Sequence, residues 1–111
     1  MAVLVAIATT DGKTVHQHFG RAEKFHIVSL TKDGYSYVEE RKTEPCCHNF
    51  EHEDTAFDAV YRELKDCKAI IVGKIGYVAA EFLIARGMRV FETPGLVDDI
   101  LNEIIKQKLL F

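Results

Sequence analysis

Residues 2–8 read AVLVAIA and are followed at once by Thr9-Thr10-Asp11-Gly12. The first run is apolar and rich in β-branched residues, which favours a strand buried on both faces. The four residues after it are a turn signal, because Asp can bond the backbone ahead of it and Gly tolerates a positive φ. The sequence therefore predicts a buried central strand over Ala2–Ala8, and the remaining elements are assigned outward from it.

A hairpin is predicted directly after this strand. Phe25–Leu30 partly alternates between apolar and polar residues, and Tyr35–Arg41 follows after the turn-forming residues Thr31-Lys32-Asp33-Gly34. This pattern is typical of two antiparallel strands, here with Asp33-Gly34 in the connecting loop. The next segment, Lys42–Asp54, is polar and without periodicity, which predicts a loop.

The second half of the chain alternates helical and strand patterns. A helix is predicted first, because apolar residues lie at i, i+3, i+4 and i+7 on one helical face: Phe57, Val60, Tyr61 and Leu64. Thr55 and Asp58 have the spacing of a capping box at its start. Two short strands are predicted, Ala69–Val72 and Met88–Phe91. A helix is predicted over Gly76–Arg86, with Gly87 as the residue that ends it, and a last helix is opened by Thr93-Pro94-Gly95.

The predicted order of elements is βββαβαβα. Strands joined by short turns favour antiparallel pairing, whereas a strand–helix–strand unit favours a parallel pair. We therefore predict an α/β fold with a mixed sheet of about five strands and helices on both faces. A chain of 111 residues has the usual size of one domain, so residues 1–111 are assigned to a single domain.

Composition and charge narrow the functional classes. The chain has 14 Lys and Arg against 17 Asp and Glu, a net charge of −3, which argues against nucleic-acid binding through phosphate contacts. Its apolar runs are too short to cross a bilayer, and its start does not resemble a signal peptide, so we expect a cytoplasmic protein without a membrane partner. Thiols stay reduced in that compartment, so the three cysteines do not indicate a disulfide framework.

The first candidate site is the segment His16-Gln17-His18-Phe19-Gly20-Arg21. Imidazole is the commonest metal ligand in proteins, and a glycine next to it lets the backbone approach a ligand closely. Lys13, Arg21 and Lys24 would suit an anionic partner. The alternative is that His16 and His18 are ordinary loop residues and that Phe19 fills the core.

The second candidate is Cys46-Cys47-His48, with His52 four residues further on. Thiolates and imidazoles bind soft or borderline metals. Adjacent cysteines chelate one ion poorly, however, and no second Cys pair completes a structural zinc site, so a loop that carries thiols by chance is an equal interpretation. Cys67 is better explained as a small core residue.

The third candidate is Val72-Gly73-Lys74-Ile75-Gly76-Tyr77, a glycine-containing turn between a predicted strand and a predicted helix. Backbone N–H groups at the start of a helix can hold an anion. The alternative is that the glycines serve only the turn and its packing. The sequence does not match the catalytic arrangements of two enzyme classes. Ser29 and Ser36 lie in predicted strands and not in a nucleophile elbow, and the first strand carries no carboxylate for the paired ions of a metal-dependent nuclease.

Together these segments resemble a known family. Ala8-Thr9-Thr10-Asp11-Gly12, Val15, His18-Phe19-Gly20-Arg21-Ala22 and Phe25 resemble the opening signature of the dinitrogenase iron–molybdenum cofactor-binding family. That family includes NifX-type and NafY-type carriers and the C-terminal domain of NifB-type cofactor synthases. A further set of residues resembles the second half of the family's sequence: Asp66-Cys67, Val72-Gly73, Ile75-Gly76, Leu83, Gly87 and Val90-Phe91-Glu92.

The resemblance implies a ribonuclease H-like fold without nuclease chemistry. It also implies a nitrogenase accessory function, in which the chain binds or carries an iron–sulfur or iron–molybdenum cluster, or its precursor, with cofactor-synthesis or acceptor proteins as partners. The alternative is a small metal- or anion-sensing regulatory module. The expected cofactor-binding residues are His18, Gly20, Arg21, Gly73 and Gly76, and the expected metal ligands are His18, Cys46, Cys47 and His48.

Overall fold

The computed structural model describes residues 2–43 and 54–110. Its strands are β1 (Val3–Ala8), β2 (Thr14–Val15), β3 (Lys24–Thr31), β4 (Gly34–Lys42), β5 (Ala69–Val72), β6 (Arg89–Glu92) and β7 (Gly95–Leu96). The helices are α1 (Asp54–Leu64), α2 (Tyr77–Ala85) and α3 (Val97–Lys106), with a 3₁₀ turn at Phe19–Arg21. No helix in these ranges is long and apolar enough to cross a membrane.

Five strands form one mixed sheet in the order β4-β3-β1-β5-β6. Strand β1 pairs antiparallel with β3 and parallel with β5, so it is central, as its apolar sequence predicts. Strands β5 and β6 are parallel, as expected of strands joined through a helix. The prediction of an α/β fold with a mixed five-stranded sheet is therefore confirmed.

The sheet carries one apolar layer on each face, because successive side chains of a buried strand point to opposite sides. Ala6 and Ala8 of β1 face α1 and α2, whereas Val5 and Ile7 face α3. Both layers are well sealed: Val5, Ala6, Ile7 and Ala8 are all 0% exposed. Helices thus cover both faces, as predicted.

Two predicted turns differ in the structure. Thr31 pairs with Gly34, so the loop of the β3–β4 hairpin is Lys32-Asp33 and Gly34 already belongs to β4. Thr93-Pro94-Gly95 does not open the last helix; that prediction is wrong, because Gly95 and Leu96 pair with Val15 and Thr14 as strand β7. Helix α3 begins only at Val97, whose backbone N–H donates to the carbonyl of Lys13.

Two sequence-predicted details agree with the structure. Gly87 has φ +87°, the left-handed conformation expected after the end of a helix. Asp11 is a turn residue, since its carboxylate accepts from the N–H groups of Lys13 and Thr14, and these bonds hold its pKa below the ordinary value. A loop is also predicted over Lys42–Asp54, and its residues 44–53 lie outside the described residues.

Candidate functional site

The segment that follows β2 lies beside the turn that follows β5. The N–H of Gly73 donates to the carbonyl of Gln17 at 2.9 Å, and the N–H of Phe19 donates to the carbonyl of Lys74 at 2.8 Å. His18 and Lys74 face each other in a parallel bridge between these two bonds. Two segments more than fifty residues apart in the sequence are thereby joined by backbone bonds at one end of the sheet.

Gly73 makes this close approach possible. A Cβ atom at this position would come within 2.9 Å of the carbonyl carbon of His16, which is shorter than real Cβ contacts. Any larger residue would push the backbone of the histidine segment away from the turn. Gly73 is therefore required for packing, and its part in ligand binding stays a prediction.

Phe19 anchors the 3₁₀ turn in the core. Its side chain is 2% exposed, and its ring lies 6.4 Å from the rings of both Phe25 and Phe57. The sequence-based alternative that Phe19 fills the core is therefore confirmed. Because this ring is fixed between strand and helix, the residues on either side of it, the half-buried His18 and the buried Gly20, are held in a defined position.

His18 is the N-cap of the 3₁₀ turn. The backbone N–H of Gly20 donates to Nδ1 of the His18 ring at 2.9 Å. A backbone N–H can only donate, so Nδ1 must be unprotonated, and the neutral ring then carries its proton on Nε2. Among the described residues Nε2 has no hydrogen-bond partner. His18 therefore offers a ligand one nitrogen, and in the capped state this nitrogen is a hydrogen-bond donor.

His18 lines a cavity of about 290 Å³, which we call the His18 cleft. This volume is at the small end of the range for ligand pockets. The lining combines the histidine segment, α1 and the first turn of α2: His18, Phe19, Gly20, Phe57, Gly76, Tyr77, Val78 and Ala79. Most of these groups are apolar, so the polar contacts of a ligand would come from His18 and from backbone N–H groups.

The first turn of α2 contributes residues to the lining of the His18 cleft. Gly76 is the N-cap, and no side chain in the described part of the chain bonds the helix start there. The first N–H groups of a helix have no partner within the helix, and together with the helix dipole they attract negative charge. The Ile75 N–H just before the cap is already used, because it donates to Oε2 of Glu92 at 2.8 Å.

The structure brings together three of the residues predicted to form a site, His18, Gly20 and Gly76. Gly73 lies behind the cleft rather than in its lining. Only the backbone of Arg21 is described. The predicted thiol and imidazole ligands of the second segment lie outside the described residues: Cys46, Cys47 and His48.

His16 does not join His18 in the cleft. It is exposed, and its ring bonds the hydroxyl of Thr10 at 3.2 Å and the carbonyl of Thr14 at 3.0 Å. The interpretation of His16 as an ordinary loop residue therefore agrees with its contacts. Cys67 is a core residue, as expected, and burial raises the pKa of its thiol to about 12.

The sequence indicated Tyr77 as part of the third candidate segment, but not Val78 and Ala79, which also line the cleft. Tyr77 is 77% exposed and Val78 is 57% exposed, although both are large apolar residues at a helix start. The signal that could have found them is the absence of a polar capping side chain at Gly76, a position where helices often carry Ser, Thr, Asp or Asn. Phe57 and Glu92 could be placed only by the tertiary structure.

Known proteins match the chain in sequence and in fold. The FeMo cofactor biosynthesis protein NifB of Sinorhizobium fredii is 33% identical over 91 residues, which are 82% of this chain and 18% of that protein. NifB of Herbaspirillum seropedicae is 30% identical over 110 residues, or 99% of this chain and 20% of that protein. The chain thus spans about a fifth of the length of these relatives.

A solved structure and a family model agree with these matches. The crystal structure of PH0822 superposes with a TM-score of 0.70 at 23% identity, covering 94% of this chain and 91% of that one, which shows the same fold. The family model described as dinitrogenase iron-molybdenum cofactor matches residues 1–107. The chain therefore belongs to the dinitrogenase iron–molybdenum cofactor family.

Proposed function

We propose that this domain binds or carries an iron–sulfur or iron–molybdenum cluster, or its precursor, in the His18 cleft. The observation that carries the proposal is the shared lining: one imidazole and the uncapped first turn of α2 open into one apolar cavity. The role would be that of an accessory domain in cofactor biosynthesis, the process named for the NifB relatives. The ribonuclease H-like assignment of the sheet belongs to this proposal.

The chemistry of the cleft suits an anionic cluster. Sulfides and oxygen ligands at the surface of such a cluster accept hydrogen bonds, which the N–H groups at the start of α2 and the Nε2–H of His18 can donate. Apolar walls around these donors exclude water, and the lower local dielectric strengthens each electrostatic contact. A cavity with mostly apolar walls and a few convergent donors is the usual form of a small-ligand site.

The number of ligands favours a preassembled cluster over a bare metal ion. A zinc ion held by protein alone takes three or four side-chain ligands. Within residues 2–43 and 54–110, no three His, Cys, Asp or Glu side chains are grouped to hold a metal ion. A cluster already carries sulfide ligands and needs few contacts from its carrier, so a single histidine suits it. The NifB relatives, which are named for FeMo cofactor biosynthesis, favour the cluster carrier over the metal-sensing alternative.

His18 has two ways to contact a cluster. In the capped state it donates from Nε2 to a sulfide or oxygen acceptor, and the bond from Gly20 stays in place. A direct bond from Nε2 to a metal requires the proton to move to Nδ1, and the Gly20 bond is then lost. In both cases His18 acts by binding the cluster, and we propose no catalytic step for this domain.

The experiment is anaerobic purification and reconstitution with iron and sulfide, with and without molybdate. We expect a coloured protein, whose iron, molybdenum and acid-labile sulfide are then measured. Zn²⁺ and inorganic phosphate, titrated separately, test the sensing alternative. Tight binding of either, with no cluster retained by the reconstituted protein, would overturn the cluster proposal.

A further inference from the structure

Glu92 is the last residue of β6 and reaches across to the turn that follows β5. Its partner in the sheet is Val72, the last residue of β5, so the two strands end side by side. From this position Oε2 of Glu92 accepts the backbone N–H of Ile75 at 2.8 Å. Glu92 does not line the His18 cleft in the described part of the chain, and the proposed function gives it no role.

The Gly73–Gly76 turn is held from two sides by backbone hydrogen-bonding groups. On one side the Gly73 N–H and the Lys74 carbonyl bond the histidine segment. On the other side the Ile75 N–H bonds the Glu92 carboxylate. The turn therefore connects both walls of the cleft, since it bonds the segment that contains His18 and leads directly into α2 through Gly76.

The carboxylate also determines which N–H groups remain for a ligand. The Ile75 N–H is occupied by its bond to Oε2 of Glu92 and is therefore not available to a ligand. A ligand in the cleft is left with the N–H groups of the first turn of α2. The residues of this turn line the same cavity as His18, whereas the Ile75 N–H is bonded to Glu92 at the end of β6.

We propose that Glu92 is a positioning residue of the His18 cleft. It acts through the Ile75 N–H to fix the turn, and through the turn it fixes the distance between the His18 ring and the first turn of α2. The inference rests on the proposed function, because the ligand is the cluster proposed for this cleft. Glu92 is exposed, so the bond contributes little to the stability of the domain, and its effect is expected in ligand affinity.

The test compares Glu92→Ala with Glu92→Gln. The amide oxygen of Gln can still accept from the Ile75 N–H, whereas Ala removes the acceptor. In cluster-free protein, Glu92→Ala should shift the amide resonances of Ile75 and Phe19, and Glu92→Gln should leave Phe19 near its wild-type position. In anaerobic titration with reconstituted iron–sulfur cluster, Glu92→Ala should bind about 10–100-fold more weakly, as supporting residues of metal sites do. Glu92→Gln should recover most of that loss.

Glu81→Ala is the matched control, because Glu81 is an exposed carboxylate of α2 that lies outside the turn. It should bind cluster like the wild type. A Glu92→Ala variant with wild-type affinity and an unmoved Phe19 amide would overturn the inference while the cluster proposal stands. A Glu92→Gln variant as weak as Glu92→Ala would also overturn it, since charge and not the hydrogen bond would then matter. If the wild type retains no cluster, the proposed function fails, and the resonances of cluster-free protein still decide whether Glu92 holds the turn.

Discussion

Substitution of His18 separates its structural bond from its proposed ligand contact. His18→Ala removes both the acceptor for the Gly20 N–H and the Nε2 atom. His18→Asn removes Nε2 but keeps an acceptor, because Oδ1 of Asn is as many bonds from Cβ as Nδ1 of His. Asn is also among the best N-cap residues, so it should restore the cap.

The expected loss of stability follows from the single bond to Gly20. Replacing an N-cap residue by Ala costs about 0.5–2 kcal/mol. For a domain of 111 residues, a change of 1 kcal/mol lowers the melting temperature by about 4 °C. We expect a shift of about that size for His18→Ala and a smaller one for His18→Asn, because the ring of Phe19 still anchors the turn in both variants.

The expected loss of affinity is the same for both variants, because both lack Nε2. Loss of a group that only supports a metal ligand already weakens binding about 10–100-fold, so loss of His18 should weaken cluster binding by at least about 10-fold. The assay is anaerobic titration with reconstituted cluster, with thermal melts alongside. His16→Ala is the control: it removes an imidazole two residues away that is bonded to Thr10 and Thr14, and it should bind normally.

Three outcomes would refute this reasoning. A His18→Asn variant that binds cluster as tightly as the wild type would show that Nε2 makes no contact with it. A melting temperature that falls far more than 4 °C in His18→Asn would show that the ring itself holds the fold. A weak His16→Ala variant would place the site on the wrong side of the segment.

Three further predictions concern the turn, an ion pair and the buried thiol. Gly73→Ala should destabilise the domain by about 1–3 kcal/mol in urea unfolding, because the added Cβ would meet backbone at 2.9 Å. Gly76→Ala is the control and should change the free energy of unfolding by no more than about 0.5 kcal/mol, because its Cβ would meet nothing within 4 Å. Equal effects of the two substitutions would contradict the packing argument. Arg41 donates two hydrogen bonds to Asp66 and so lowers the pKa of that carboxyl below 3.8. Its contribution is therefore complete well above pH 3.8 and is lost as the pH falls from there through the lower pKa of the folded protein, so Asp66→Asn should cost at most about 1 kcal/mol at pH 7 and progressively less as the solution is acidified below pH 3.8. Cys67 has a pKa of about 12, so in a variant whose other two cysteines are serine it should resist iodoacetamide at pH 8 and should react once the protein is unfolded in urea. Labelling is followed by mass spectrometry, and rapid labelling of the native protein would show that the thiol is accessible.

The position of His18 next to a ligand cavity could be expected from sequence only in part. The His18-Phe19-Gly20 segment and the Gly73–Gly76 turn are each visible as glycine-containing turns after strands. Strands that end at the same edge of a sheet bring their turns close, and this argument predicts that the two segments meet. It does not predict which side chains line the space between them. Tyr77 and Val78 entered the cleft because α2 begins at Tyr77.

The sequence by itself determined the central strand, the two core layers and the class of fold. Apolar periodicity is local, so the buried runs at Val3–Ala8 and Ala69–Val72 and the helical faces around Leu64 and Leu101 could be read without coordinates. Long-range pairing is not local. The bonds from Gly73 to Gln17, from Phe19 to Lys74 and from Ile75 to Glu92 join residues that no sequence period connects. Only the tertiary structure could decide that these bonds share one turn, because each depends on where three separate strands end in space.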